Sequence, residues 1–392
     1  MTEVVITGAV RTAIGTFGGA LAATPPSELA AQCVAEALRR SGTKPEAVGH
    51  VVFGNVIPTE PRDAYIARVA AMEGGIPKEV PAMTVNRLCG SGLQAIVSAA
   101  QSILLGDAKT ALAGGAESMS RAPHILTTGR TGQRMADAVL VDYLLGALSD
   151  PFGNGHMGVT AENVAERYAI ARDVQDAFAA ESQARAARAI REGRFREQIL
   201  PIEVQRKRET VAFDTDEHPK ATSAEDLAKL RPAFSKTGSV TAGNASGLND
   251  GAAVLVLSSA AQAARDGATP LARIVGYAHA GVDPSEMGMG PVPAVRRLLE
   301  RTGLRASDFD VIESNEAFAA QACAVSRALD LDPDKVNPNG GAIALGHPIG
   351  ATGAIITVKA LYELSRTGGR YGLVTMCIGG GQGIAMALER LH

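Results

Sequence analysis

The 392-residue sequence predicts an α/β fold built from two similar halves. Apolar strand-like segments alternate with amphipathic helical segments, and this alternation is typical of parallel-rich sheets that helices cover on both faces. The order of segments in residues 4–115 recurs in residues 272–377, and one further strand follows each copy. We therefore expect a duplicated core, in which roughly residues 118–250 interrupt the first copy before its last strand.

The first copy begins with the apolar segment VVITG, which predicts a strand at residues 4–8. In the helix predicted at 29–42, Leu29, Cys33 and Ala37 recur at four-residue spacing, and Gly42 is a typical stop. The remaining elements of this copy are strands at 50–55 and 81–86, a helix at 93–106, and strands at 110–115 and 253–259.

The second copy repeats this order without the interruption. Its helix has Val292, Val295 and Leu299 at helical spacing and ends at Gly303. The predicted elements are a strand at 272–277, a helix at 292–303, a strand at 309–316, a helix at 354–369, and strands at 372–377 and 384–389. Only the short segment IGGGQG joins its last two strands.

The interruption predicts a separate lobe, because it contains the helical stretches TAENVAERYA and QDAFAAESQARAARAIREG. We assign residues 1–120 and 245–270 to the first half and residues 121–244 to an inserted loop domain. Residues 271–392 form the second half. Two unrelated domains with a similar order of elements are the alternative interpretation.

The composition excludes several classes of protein. A hydrophobic content of 46% is too high for a disordered chain. No apolar run approaches the ~20 residues that span a bilayer, and the N-terminal MTEVVITGAVRT lacks a basic segment ahead of an apolar one. A net charge of −3 with 4% aromatic residues argues against nucleic-acid binding. We expect a cytoplasmic protein with neither a membrane nor a nucleic-acid partner.

The four cysteines are far apart in the sequence and form neither a CxxC pair nor a disulfide framework, which favours a reducing compartment. Cys89 directly follows a predicted strand and precedes GSG and a helix. The unpaired N–H groups and positive end of that helix favour a thiolate, so we expect a nucleophile. The alternative is a buried structural cysteine. Ser91 is a weak rival because CGSGL lacks the GxSxG elbow of hydrolases.

Three further candidates lie at the ends of elements in the second copy. His347, in GGAIALGHPIGATG, occupies the turn that corresponds to that of Cys89, so pseudosymmetry predicts that the two meet. Cys377 precedes IGGGQG, whose backbone N–H groups are suited to an oxyanion. Asn315 ends a strand and holds a polar partner or caps a helix. Structural roles for His347 and Cys377 are the alternatives. No metal-ligand spacing surrounds His347, so we expect no metal.

Seven segments together resemble the signatures of the thiolase family, in the expected order over nearly the whole chain. They are NRLCGSG (86–92), GGAESMS (114–120), HMGVTAENVA (156–165), TAGNASGLNDGAA (241–253), NEAFAAQA (315–322), GGAIALGHPIGATG (340–353) and CIGGGQG (377–383). Within the family the chain most resembles bacterial acetyl-CoA acetyltransferases of the broad-specificity β-ketothiolase type.

The resemblance implies the thiolase fold, in which two pseudosymmetric βαβαβαββ halves form a layered α/β/α/β/α core with an inserted loop domain. It also implies a homotetramer, a dimer of dimers, with residues near 121–146 as the tetramer-forming loop. The implied reaction is the reversible condensation of two acetyl-CoA to acetoacetyl-CoA and CoA, extended to longer 3-ketoacyl-CoA. Coenzyme A thioesters are then substrates, and no separate cofactor is expected.

The family's catalytic roles fall on residues of this chain. The resemblance implies that Cys89 takes the acyl group as a thioester, that His347 is its base, and that Cys377 removes or returns the α-proton. Asn315 holds a water at the first oxyanion site, and the backbone N–H groups of Cys89 and Gly379 form the second.

The resemblance also implies a set of coenzyme A contacts. They are His156, Met157, Lys220, Phe234, Ala242, Ser246, Met287, Ala317 and Phe318. The family often places an arginine at the nucleotide end, where this sequence has HPKATSAEDL; Lys220 is its expected substitute, without the bidentate fork of arginine.

Three alternatives are left open. They are a decarboxylating condensing enzyme that does not need Cys377, a non-catalytic acyl-CoA or lipid carrier, and redox control through a Cys89–Cys377 disulfide.

Overall fold

A computed structural model describes residues 2–206 and 209–391. The first half contains a mixed sheet in which the first strand pairs antiparallel with the last, and the last with the fourth. The second strand then pairs parallel with the fourth and with the third. In chain order these strands are Val4–Thr12, His50–Gly54, Ala82–Val85, Thr110–Ser118 and Asn249–Ser259.

The second half repeats this arrangement, with the same neighbours and the same strand directions. The counterpart of the third strand is reduced to one parallel bridge between Ile312 and Val336. The strands are Ala272–Gly281, Val311–Ser314, Tyr371–Ile378 and Gln382–Arg390. The repeated order confirms the duplicated α/β core, and the alternative of two unrelated domains is wrong.

The sheets of the two halves are joined at one edge, where residues 5–6 pair with residues 272–273, and helices form three layers around them. Ser91–Leu105 and Thr352–Thr367 pack against each other between the sheets. A Cβ atom on Gly353 would lie 2.2 Å from the backbone nitrogen of Leu93, so glycine lets the two central helices touch through their backbones. The outer helices are Pro26–Ser41, Ile66–Glu73 and Ala260–Asp266 in the first half, and Pro291–Thr302 and Ala319–Ala328 in the second.

The central position of one helix explains its composition. The stretch Leu88–Leu105 has the length and apolarity of a membrane span, but most of it is buried in the protein. It lies between the two sheets, where apolar side chains are required on every face. The N-terminal ends of the two central helices define the place where the two halves meet.

The described part of the inserted lobe contains three antiparallel strand pairs and several helices. The pairs are His124–Leu126 with Leu140–Asp142, Ser149–Asp150 with Gly155–His156, and Ile202–Arg206 with Glu209–Phe213. The lobe helices are Tyr143–Ala147, Met157–Arg167, Arg172–Arg191 and Ala224–Ala228. The predicted boundaries at residues 120/121, 244/245 and 270/271 stay a prediction.

A buried ion pair joins the lobe to the first strand of the core. The guanidinium of Arg11 donates to both carboxylate oxygens of Asp216, at 2.7 and 2.9 Å, and to Gln198 Oε1 at 2.7 Å. Asp216 also accepts the backbone N–H of Ile14. Because both charges are buried, loss of one partner leaves the other uncompensated, which typically costs about 3–5 kcal/mol.

The shorter elements complete the chain. Single 3₁₀ turns span Pro45–Ala47, Pro61–Tyr65, Met119–Arg121, Pro284–Met289 and Ala306–Asp308, and a short helix spans Ala342–Leu345. Two-residue strands lie at Gly15–Thr16, Ser149–Asp150, Gly155–His156 and Ile199–Leu200.

Candidate active site

A cavity of about 440 Å³ lies where the two halves and the lobe meet, and Cys89, His347, Cys377 and Gly379 all line it. These residues come from turns that are up to 290 positions apart in the sequence, and the repeat is what brings them together. The expected coenzyme A contacts, apart from Lys220, line the same cavity: His156, Met157, Phe234, Ala242, Ser246, Met287, Ala317 and Phe318.

Cys89 lies in a tight turn between a strand and the central helix Ser91–Leu105. The preceding residue, Leu88, has a φ of 45°, an unusual conformation for a residue with a side chain. The Ser91 hydroxyl closes the turn, because it accepts the N–H of Arg87 at 2.9 Å and donates to the carbonyl of Leu88 at 2.6 Å. Ser91 is therefore a buried structural residue, and the turn presents the thiol of Cys89 to the cavity.

The electrostatics of Cys89 differ from the expectation. Burial raises the pKa of its thiol, and the nearby charge of Glu117 acts in the same direction. The backbone N–H groups of Gly379 and of Cys89 itself lower the pKa, but burial outweighs them. Burial thus opposes the thiolate that the N–H groups and the helix end are expected to favour, and the thiol requires a base.

His347 supplies a base whose protonated nitrogen can be deduced from its partners. Its Nδ1 lies 2.6 Å from Thr352 Oγ1, and that hydroxyl donates its single hydrogen to the carbonyl of Pro348. Thr352 must therefore accept from Nδ1–H, which leaves the lone pair on Nε2. Burial lowers the pKa of His347 to about 4, so the ring is neutral at ordinary pH.

Asn315 lies beside this free nitrogen. Its Nδ2 is 3.4 Å from His347 Nε2, and its buried Oδ1 has no hydrogen-bond partner among the described residues. The next helix begins at Ala319, with Phe318 at the N-cap position. The capping interpretation of Asn315 is therefore wrong, and its side chain is available to hold a polar group next to the imidazole.

Cys377 ends the strand Tyr371–Ile378 on the other side of the cavity. Burial raises the pKa of its thiol strongly, and the proximity of Cys89 raises it further. At Gly379 a Cβ atom would lie 3.3 Å from Leu88 and 3.4 Å from Met157, so glycine keeps the backbone N–H open to the cavity. The two thiols are near enough to influence each other, and simultaneous ionisation of both is unfavourable.

Lys220 is the exception among the predicted contacts. Its side chain is exposed and is not part of the cavity wall, and its backbone N–H donates to Gln183 Oε1 at 2.9 Å. Its role at the nucleotide end stays a prediction.

An apolar wall lies next to Cys89 and was not predicted from the sequence. It consists of Met119, Leu144, Leu148, Leu248 and Ile349. Leu144 and Leu148 are four residues apart, on and just after a short lobe helix, and this spacing was the available signal. The wall is suited to an aliphatic chain.

Among residues 2–206 and 209–391, no group of three or more histidine, cysteine or acidic side chains is arranged to hold a metal ion. The chemistry of the site is that of a thiol with an imidazole base, and a second thiol beside them. Together these groups define an acyltransferase that works through a covalent thioester.

Comparison with known proteins identifies the family. A family model described as the thiolase N-terminal domain matches residues 4–261, and one for the thiolase C-terminal domain matches residues 268–390. The chain belongs to the thiolase family, whose members are acyltransferases of Claisen condensation and thiolysis.

Full-length relatives agree with this assignment. Beta-ketothiolase BktB of Cupriavidus necator is 63% identical over 391 residues, which are 99% of each chain. An acetyl-CoA acetyltransferase of Pseudomonas aeruginosa is 53% identical over 393 residues, covering both chains completely. The crystal structure of the Bacillus anthracis acetyl-CoA acetyltransferase superposes with a TM-score of 0.97 at 50% identity, covering 100% and 99% of the two chains. Human mitochondrial 3-ketoacyl-CoA thiolase in complex with CoA gives 0.96 at 45% identity, with 100% and 98% covered.

Proposed function

We propose that this enzyme condenses two acetyl-CoA to acetoacetyl-CoA and CoA, and cleaves acetoacetyl-CoA and longer 3-ketoacyl-CoA in the reverse direction. The relatives named above support these substrates. The observation that supports the mechanism best is that one cavity contains Cys89, His347 and Cys377 together with the backbone of Gly379.

The first half-reaction acylates Cys89. His347 Nε2 takes the thiol proton, and the resulting thiolate attacks the carbonyl carbon of acetyl-CoA. The C–S bond to coenzyme A breaks, and Cys377 gives its proton to the departing coenzyme A sulfur. The products are an acetyl thioester on Cys89, free CoA, an imidazolium at His347 and a thiolate at Cys377.

The second half-reaction uses the groups in the states that the first one leaves. The Cys377 thiolate takes the α-proton of a second acetyl-CoA, while His347 Nε2–H donates to its thioester oxygen. The enolate carbon attacks the acetyl group, the bond to Cys89 breaks, and the Cys89 sulfur recovers the proton from His347. Every group returns to its starting state, so the cycle closes.

The order of ionisation follows from the electrostatics. A thiolate at Cys89 raises the pKa of Cys377, and acetylation of Cys89 removes that charge. The second thiol therefore ionises most easily once the first is acylated. This coupling separates the two proton transfers in time.

Two groups of donors stabilise the oxyanions. His347, together with a water held by Asn315 Oδ1, forms the first site. The backbone N–H groups of Cys89 and Gly379 form the second, and in the free enzyme both already point at the Cys89 sulfur. Removing one donor of this kind typically costs about 10²–10³-fold in rate.

The pantetheine arm of coenzyme A occupies an aromatic channel. His156 and Phe234 are stacked with ring centroids 4.8 Å apart, and Phe318 meets Phe234 edge-on at 6.1 Å. Lys220 meets the nucleotide end from outside the channel. Acyl transfer to and from Cys89, proton transfer and attack of the enolate carbon on the acetyl group account for the whole reaction, so we expect no resident metal or redox cofactor.

The two rival functions are not favoured. A decarboxylating condensing enzyme has no need of a second thiol at position 377, and a carrier has no need of a base beside a thiol. Activity with acetyl-CoA alone, without malonyl thioesters, distinguishes the proposal from the first rival.

We also propose a homotetramer, a dimer of dimers, in the cytoplasm. The lobe hairpin supports the assembly, because its strands His124–Leu126 and Leu140–Asp142 expose apolar side chains: Ile125, Leu126, Leu140 and Val141. Four free cysteines support a reducing compartment. Fatty-acid metabolism and polyhydroxyalkanoate biosynthesis are the pathways that use this reaction in its two directions.

Intact-mass measurement after treatment with acetyl-CoA tests the proposal, with Cys89→Ala beside the wild type and Cys323→Ala as control. We expect one acetyl group on the wild type and on Cys323→Ala, and none on Cys89→Ala. Acetylation of Cys89→Ala, or turnover of acetoacetyl-CoA with CoA by that variant, would overturn the assignment.

A further inference from the structure

The segment GNASGLNDG contains an asparagine that the mechanism above does not use. Asn249 begins the strand Asn249–Ser259 and is fully buried. Its Oδ1 accepts the backbone N–H of His347 at 2.9 Å, and its Nδ2 donates to the carbonyl of Gly15 at 3.0 Å. Because one partner only donates and the other only accepts, the orientation of the amide is determined.

The same amide packs against the residue before the base. Gly346 has a φ of 109°, and a Cβ atom there would lie 2.4 Å from Asn249 Cγ. Asn249 thus contacts the backbone of two consecutive residues of the His347 turn. The turn cannot shift towards the first half without displacing this side chain.

His218 contacts the other side of the amide. Its Nδ1 lies 3.4 Å from Asn249 Nδ2, and because that nitrogen donates, Nδ1 must accept. Burial and the charge of Lys220 lower the pKa of His218 to about 4, so the ring is neutral and one of its nitrogens can accept. The ring also packs on Gly247, where a Cβ atom would lie 2.2 Å from Cε1, and Gly247 lines the cavity.

We propose that Asn249 is a positioning residue for the catalytic base, which it holds through the backbone N–H of His347, and that His218 links this contact to the segment carrying Lys220. The proposal rests on the role of His347 given above. The segment that carries Lys220 then contacts the base through two side chains, His218 and Asn249. Movement of this segment alters the position of His347.

Several titratable groups surround the imidazole and its turn. The thiols of Cys89 and Cys377 line the same cavity, as do Asp142 and His156 on the lobe side. Glu117 accepts the N–H of Gly350 at 2.8 Å, at the far end of the turn. An acidic side chain at position 249 would face two acceptors, the carbonyl of Gly15 and His218 Nδ1, and it therefore carries a proton there.

The test uses Asn249→Ala and Asn249→Asp, with Asn339→Ala as the matched control. Asn339 is an equally buried amide with two side-chain partners, Arg194 and Glu363, outside the cavity. We expect Asn249→Ala to acetylate Cys89 about 100-fold more slowly, as is typical of a displaced catalytic group, with little change in KM. Asn339→Ala keeps the wild-type rate.

Asn249→Asp distinguishes a positioning role for Asn249 from a purely structural role. Its carboxyl keeps the acceptor for the His347 N–H and, because it is protonated, adds no charge, so it should restore most of the acetylation rate that Asn249→Ala loses. His218→Ala slows acetylation less than Asn249→Ala, and combining the two adds no further loss because they act as one unit.

Two outcomes would overturn the inference. They are an Asn249→Ala enzyme that acetylates Cys89 at the rate of Asn339→Ala, and an Asn249→Asp enzyme that acetylates Cys89 no faster than Asn249→Ala. His347→Ala separates this failure from failure of the proposed function. If His347→Ala acetylates normally, the base assignment is wrong, whereas an inactive His347→Ala beside a fully active Asn249→Ala refutes the positioning role alone.

Discussion

The 2.6 Å hydrogen bond between His347 Nδ1 and Thr352 Oγ1 determines which nitrogen of the base is free. Thr352 lies in the first turn of the central helix of the second half, five residues after the histidine. The helix thus positions Thr352, which orients the ring of His347 through this bond, and the free Nε2 is directed to the side of Asn315.

Replacing Thr352 with valine removes the acceptor for Nδ1–H while it preserves the shape of the side chain. A lost hydrogen bond in a buried site costs about 1–3 kcal/mol, so we expect acetylation of Cys89 to slow by about 5- to 160-fold. Quenched-flow mass measurement gives this rate. Thr352→Ser keeps the hydroxyl and should retain most of it, and equal rates in the two variants would contradict the prediction.

The low pKa of His347, about 4, predicts the pH dependence of acetylation. A base acts in its neutral form, so the active fraction is lost only as pH falls through about 4, not through the ordinary value of about 6.5. We expect a flat acetylation rate between about pH 5 and 7. In His347→Ala the residual rate should instead rise with the thiolate fraction. An acid limb of the wild-type acetylation rate centred near pH 6.5 would contradict this prediction.

Shortening Leu148 should widen the acyl end of the cavity. This side chain and Leu144 form part of the apolar wall next to Cys89. Each methylene that a substrate buries is worth about 0.8 kcal/mol, so Leu148→Ala should raise kcat/KM for longer 3-ketoacyl-CoA over acetoacetyl-CoA by about fourfold per added carbon. Leu105→Ala, at an exposed helix end, is the control. An unchanged ratio would contradict this position of the acyl chain.

Changing Lys220 to arginine tests the nucleotide end. A planar guanidinium binds phosphate oxygens with two hydrogen bonds, which an ammonium cannot do. We expect Lys220→Arg to lower the Kd for CoA by about threefold and Lys220→Ala to raise it, as measured by calorimetry. Lys229→Ala removes another exposed cation as control. The same Kd in all four proteins would show that position 220 does not meet the nucleotide.

The sequence predicts the strands and helices of the core well, because each repeated element has its own local pattern of apolar residues. The helix predicted at 29–42 spans Pro26–Ser41, and the strand predicted at 372–377 spans Tyr371–Ile378. The last strand of the first half is predicted too short, since it begins at Asn249 rather than at residue 253. Its first residues are polar and pair with Gly15–Thr16 and with Ser118, contacts that no local pattern reveals.

The site is predictable only in part. The repeat predicts that the turns of Cys89 and His347 meet, and they do line one cavity, while the catalytic roles stay predictions. Protonation states depend on burial, which is a tertiary property, and so the sequence did not reveal that burial opposes the thiolate of Cys89. The function of Asn249 was equally hidden, because its partners His347 and Gly15 are distant in sequence.

The most direct test of the central claim is to trap the acyl enzyme in Cys377→Ala. Without the second thiol the departing coenzyme A loses its proton donor, so acetylation is slower, and the α-proton of the second substrate stays in place. On long incubation with acetyl-CoA the acetyl group should therefore accumulate on the enzyme, and peptide mapping should find it on Cys89 alone. An unmodified enzyme, or an acetyl group on Cys33 or Cys323, would contradict the claim that one cavity unites a nucleophile at 89 with an acid and base at 377.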